Sequence, residues 1–174
     1  GQAYAAGGIN VTVEATRAAS DAELDANLRR LVGEARRGGT TTIETKTGYG
    51  LTVEDEVRAA RIAGAHADAV TFFGFLVVPA GAEPGEYLDL VTGPMLDAVA
   101  PYVSAVDVFC ERGAFDAEAS ARVLTTAKAH GLATRIAGAA HVGARRGLED
   151  TVLGHEGHDC VDVVAIPCIG EGLQ

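Results

Sequence analysis

Thr40-Thr41-Thr42-Ile43-Glu44-Thr45-Lys46-Thr47-Gly48-Tyr49-Gly50-Leu51-Thr52-Val53-Glu54-Asp55-Glu56 reads as a strand, a tight loop and a helix start. Thr40–Glu44 is a β-branched run, the residue type that fits a pleated surface. Gly48 and Gly50 free the backbone for a sharp turn around Tyr49. Thr52 can cap the following helix, and Glu54, Asp55 and Glu56 suit the positive end of its dipole.

The same strand-then-helix unit recurs along the chain. Val70–Phe75 and Val106–Cys110 are further β-type runs, and Leu132–Ile136 is a weaker one. Upstream, Ser20-Asp21-Ala22-Glu23 has the form of a capping box. Leu24, Leu28, Leu31 and Val32 then mark one helix face, and Gly38-Gly39 is a stop signal. Downstream, Asp116 can cap a helix that buries Val123, Leu124 and Ala127, closed by Gly131. Strand starts fall roughly 26–36 residues apart, the size of a βα unit. Consecutive βα units make a parallel sheet with right-handed crossovers, so the fold class is α/β. A doubly wound sheet and a (β/α) barrel both satisfy the pattern. No GxGxxG or P-loop is present, and Gly7-Gly8 precedes a β-like run rather than following one. From Ala137 onward the chain turns Gly-rich, with one more β-type run at Val161–Ile166. A barrel closes with about eight strands, and about four to five βα units can be read here.

Charge and cysteine usage narrow the function classes. Of 174 residues, 24 are acidic and 14 basic, a net charge of −10 that repels a phosphate backbone and excludes nucleic acid as a partner. Three cysteines with no CxxC argue against a disulfide framework or zinc ribbon and predict a reducing, cytoplasmic setting. The opening GQAYAAGGIN has neither the basic nor the apolar region of a signal peptide. The most apolar stretch, Val70–Ala82, is too short to span a bilayer, so no membrane partner is expected.

In a parallel α/β fold, chemistry gathers at the carboxyl ends of strands. At the first end Tyr49 offers a phenolic donor over a pocket; the plainer alternative is a loop tyrosine that covers the core. The second end, Phe73 to Pro79, has no polar side chain. At the third, Glu111 and Arg112 can pair with each other, and Cys110 reads as a core thiol. At the fourth, Arg135 to His141, only His141 is reactive in type. His155-Glu156-Gly157-His158-Asp159-Cys160 packs metal-liking ligand types together. Its histidines are spaced i, i+3 with glycines breaking the helix, unlike the i, i+4 zinc-protease pattern, so it reads first as a solvated acidic loop.

Tyr4-Ala5-Ala6-Gly7-Gly8-Ile9, Ala15–Leu24 (ATRAASDAEL), Gly39–Glu56 (GTTTIETKTGYGLTVEDE), Glu86–Leu96 (EYLDLVTGPML) and Val106–Asp116 (VDVFCERGAFD) resemble imidazolonepropionase, in particular its actinobacterial members, in the right order. The resemblance runs from Tyr4 to Ile136. It implies that residues 1–136 are an incomplete (β/α) barrel segment of amidohydrolase type and that 137–174 are a divergent tail, with room for one more βα unit. It implies a hydrolase of histidine degradation that opens 4-imidazolone-5-propanoate with water to N-formimidoyl-L-glutamate. Zinc or iron is the cofactor expected of the family, activating the water.

Carried over residue by residue, the resemblance gives Tyr49 as a substrate-binding residue and no catalytic or metal residue. The family's His-x-His pair and a substrate arginine belong upstream of Gly1, and its last metal aspartate beyond Gln174. Leu76 stands where the family has a substrate histidine, Ala137 where it has a metal histidine and Ala140 where it has a substrate Gln or Glu. A later Asp-His pair falls on Asp159-Cys160. Moving the metal histidine onto His141 puts Val142-Gly143-Ala144 where a polar partner is needed. The expectation is a chain that does not bind the family metal and is inactive alone. The alternatives are a non-catalytic binding or assembly module that self-associates through open barrel edges, and a metal-binding protein using the His155–Cys160 cluster.

Overall fold

The computed structural model describes residues 8–110, 115–137 and 164–165. Among the described residues six α-helices and five strands follow one another: α1 (Gly8–Ala18), α2 (Asp21–Arg37), β1 (Ile43–Lys46), α3 (Val53–Gly64), β2 (Ala69–Phe75), α4 (Pro84–Thr92), α5 (Pro94–Val99), β3 (Ala105–Phe109), α6 (Ala117–Ala129), β4 (Ala133–Ala137) and β5 (Val164–Ala165). The strands form one sheet in the order β4-β3-β2-β1-β5. Every pairing is parallel. The first four strands therefore lie side by side in chain order, the arrangement of a barrel segment rather than of a doubly wound sheet. β5 instead returns to the far edge, pairing Val164 with Ile43 and Ala165 with Glu44.

Local chemistry sets the helix limits. Ser20 accepts from the Glu23 amide and the Glu23 carboxylate accepts from the Ser20 amide, so the capping box at the start of α2 is formed. Thr52 caps α3 through the Asp55 amide, and Asp116 caps α6 through that of Ala119. Each such cap contributes about 1 kcal/mol. Gly131, at φ +74, follows the end of α6 in the left-handed region that glycine tolerates best.

Two elements depart from the sequence reading by more than a one-residue shift. The β-like run after Gly7-Gly8 is helix α1: Val13 and Thr16 are buried on one face, and the Thr16 hydroxyl donates to the Thr12 carbonyl one turn back. β-branched residues follow the face that can be buried, not their intrinsic preference. β1 begins at Ile43 rather than Thr40, because the Thr40 amide is spent on the Ala35 carbonyl in closing α2.

The sheet has two unlike faces. Val70, Phe72, Val106 and Val108 are buried and belong to the hydrophobic cluster shared with the helices. α3 packs on β1 and β2, and α6 on β3 and β4. Phe72 and Phe75 are wholly buried and meet edge to face at 5.3 Å. Burying side chains of that size stabilises by about 1.5–3 kcal/mol each. The register puts Glu44, Lys46, Thr71, Asp107 and Arg135 on the opposite face. Among the described residues no helix is long and apolar enough to cross a membrane.

Candidate functional site

The loop after β1 is fixed from three sides. Against β2, the Thr47 amide donates to the Thr71 carbonyl at 3.0 Å, and the Thr47 hydroxyl accepts from the Phe73 amide at 3.3 Å. A Cβ on Gly48, which has φ +117, would stand 2.4 Å from the Phe73 carbonyl oxygen. From α3, Glu56 is fully buried and accepts from the amides of Gly48 (2.9 Å), Gly50 (2.8 Å) and Leu51 (2.9 Å). Burial pushes its carboxyl upward, against the hydrogen bonds from Thr47, Leu51, Gly50 and Gly48 that favour the charged form. From α1, Arg17 Nε donates to the Gly50 carbonyl at 2.6 Å. Arg58 in turn donates to the carbonyls of Thr16 and Ala19, tying the end of α1 to α3. Leu51 adopts φ 57, a left-handed conformation that a leucine takes only under constraint.

Tyr49, the substrate residue of the sequence reading, sits at the centre of this loop. It is 9% exposed and belongs to the hydrophobic cluster. Tyr87 belongs to the same cluster, its hydroxyl donating to the Gly74 carbonyl at 2.9 Å. Burial, and then the charge of Glu56, push that phenol well above the ordinary tyrosine range. Gly74 is required there, since a Cβ would stand 2.5 Å from the Phe72 ring.

The polar sheet face carries a charge lattice that reading the strand ends missed. Lys46 Nζ lies 2.5 Å from Asp107 Oδ2 and 5.1 Å from the Phe73 ring centroid. Arg135 pairs with Glu44 and also donates to the Thr71 hydroxyl at 2.9 Å; Thr71 donates to Glu44. Lys46 meets Asp107 across β2, and Arg135 meets Glu44 across β3 and β2. Neighbouring strands are about 4.8 Å apart, so these long side chains lie along the face and reach over the intervening strands. The signal was present in the strands themselves, where charged residues alternate with uncharged ones in Ile43-Glu44-Thr45-Lys46 and Val106-Asp107-Val108. Asp107 Oδ1 is buried with no hydrogen-bond partner.

The family metal does not fit the described residues. Among them no group of three or more His, Cys, Asp or Glu is placed to hold an ion. Leu76 follows β2 and packs against the core, and Ala137 ends β4; neither side chain has a ligand atom. Cys110 is a buried free thiol. Glu111, Arg112, Ala140, His141 and the His155–Cys160 cluster lie outside the described residues.

No family model matches the chain. Among curated proteins it is similar to the imidazolonepropionase of Saccharopolyspora erythraea, 65% identical over 138 residues that make up 79% of this chain and 36% of that protein. The imidazolonepropionases of Streptomyces griseus and Streptomyces avermitilis are 60% and 58% identical, each over 78% of this chain and 35% and 33% of their own lengths. The chain thus spans about a third of the length of the curated relatives it matches.

Proposed function

Over 138 residues the chain belongs to the imidazolonepropionase family, and from that premise we propose that it is the central βα segment of an amidohydrolase barrel acting in histidine degradation. The reaction of the whole enzyme is hydrolysis of 4-imidazolone-5-propanoate, opening a cyclic C–N bond to give N-formimidoyl-L-glutamate. The observation that carries the reading is the 65% identity over 138 residues. The parallel order β4-β3-β2-β1 and the polar second face of the sheet suit a barrel wall. An acidic, cysteine-poor enzyme of small-molecule metabolism fits the cytoplasm.

This segment's part in the reaction is to present Tyr49. Its phenol hydrogen-bonds a polar atom of the imidazolone, and the loop around it keeps the ring from wandering. One such bond contributes about 0.5–1.5 kcal/mol. Zinc or iron would supply activated water in a complete enzyme, but Leu76 and Ala137 hold no ion, so no step of the hydrolysis is assigned to this chain alone.

A chimaera tests the reading. Residues 39–56 of this chain replace the matching segment of the Saccharopolyspora erythraea enzyme. Hydrolysis of imidazolonepropanoate should be retained in the chimaera and fall about 2–13-fold in its Tyr49→Phe variant, the loss of one such bond. A dead chimaera that folds, or a Tyr49→Phe variant as fast as its parent, overturns the assignment. The isolated chain should bind a ring-opened product analogue at roughly millimolar or weaker by calorimetry.

A further inference from the structure

Glu56 is a fully buried carboxylate that the reading above leaves without a task. Such a group is costly to desolvate and persists where several donors satisfy it. The usual task of an acid in the first turn of a helix, capping, is already performed in α3 by Thr52, with Asp55 bonded back to the Thr52 hydroxyl. Glu56 turns instead to the loop. One oxygen takes the amide of Gly48, on one side of Tyr49; the other takes the amides of Gly50 and Leu51, on the opposite side. The backbone around Tyr49 is therefore held at both ends by a single side chain. Gly50 has no room for a Cβ, which would stand 2.6 Å from Asp55 Cβ, so the loop sits flush on the start of α3. The left-handed Leu51 is one of the residues whose amide Glu56 holds.

We propose that Glu56 is a positioning residue for Tyr49: its carboxylate clamps the amides flanking the tyrosine and so sets where the phenol meets the imidazolone. This rests on the substrate contact proposed for Tyr49.

Two measurements on the full chain need no substrate. The first is amide exchange in the unaltered protein, where Gly48, Gly50 and Leu51 should be protected like strand amides; exchange at open-loop rates overturns the clamp. The second uses 3-fluorotyrosine, with the Tyr49 signal assigned by Tyr49→Phe. In Glu56→Gln the Tyr49 signal should move or broaden and the three amides should exchange at least about tenfold faster, while Tyr102 keeps its signal. An unmoved Tyr49 signal with protected amides overturns the proposal. If Glu56→Gln does not fold, the exchange pattern of the unaltered chain still decides. The functional arm uses the chimaera. Glu56→Gln should lower kcat/KM by about as much as Tyr49→Phe, and the double variant should lose no more than either single one, because Glu56 acts through Tyr49. Additive losses overturn the positioning role. A silent Tyr49→Phe beside a shifted fluorine signal in Glu56→Gln instead sinks the substrate contact and leaves the clamp standing.

Discussion

Lys46 Nζ and Asp107 Oδ2 stand 2.5 Å apart with strand β2 between them, and the two partners are unequally sheltered: the lysine side chain is 22% exposed and the aspartate 3%. Removing one is therefore unlike removing the other. Lys46→Met strands a buried carboxylate whose Oδ1 already lacks a partner, and should cost about 3–5 kcal/mol. Asp107→Asn leaves an ammonium that can turn to water, and should cost clearly less. Urea unfolding of the two variants checks the order. In the double variant, part of the Lys46→Met loss should return.

Glycine positions in this chain separate conformational strain from lack of space. Gly39 has φ +98 and open space where a Cβ would go, whereas Gly48 has φ +117 and a carbonyl oxygen 2.4 Å from that point. Gly39→Ala should cost only about 1 kcal/mol, the strain of a left-handed alanine. Gly48→Ala adds displacement of β2 and should cost at least about 2–4 kcal/mol. Thermal unfolding of both variants measures the gap.

Stability should depend on pH through His130 at the end of α6. The Thr126 carbonyl and then the Asp97 carboxylate, 2.8 Å away, favour its charged form and raise its pKa from the ordinary 6.5. A raised folded value means that the contribution is complete below about 6.5 and is lost as pH climbs through the folded value. The stability difference between the native chain and His130→Gln should accordingly be greatest at acid pH and shrink on passing to alkaline pH. Urea midpoints across that range supply the test.

Metal content follows from Leu76 and Ala137, which have no ligand atoms. Elemental analysis of the purified chain should find less than one equivalent of zinc or iron. A full equivalent that disappears on substituting His155, His158 or Cys160 would assign a metal site to that cluster instead.

The helix ends were legible because their chemistry is local. Ser20 with Glu23, Thr52 with Asp55 and Asp116 with Ala119 each satisfy a free amide three residues away. Parallel pairing was legible because regular βα spacing implies crossovers, whereas the chain order of the strands was not fixed by spacing and came only with the family resemblance. The charge lattice was not, since Lys46 finds its partner 61 residues on and Glu44 finds Arg135 at 91. Glu56 was hidden differently. With Glu54 and Asp55 it looks like one of three equivalent acids at a helix start, yet it shares the buried stripe of Ala59, Ala60 and Ala63. Its phase along the helix was the available signal.

The return of β5 to the edge of β1 bears on the order of assembly. β1 to β4 each pair with a strand one βα unit away, so these contacts close short loops and can form as the chain lengthens. Pairing Val164 with Ile43 closes a loop over most of the molecule. Its closure entropy is the largest among the described strand pairings. On loop length alone the four-strand body is expected to come together first, with β5 joining an edge that is already built.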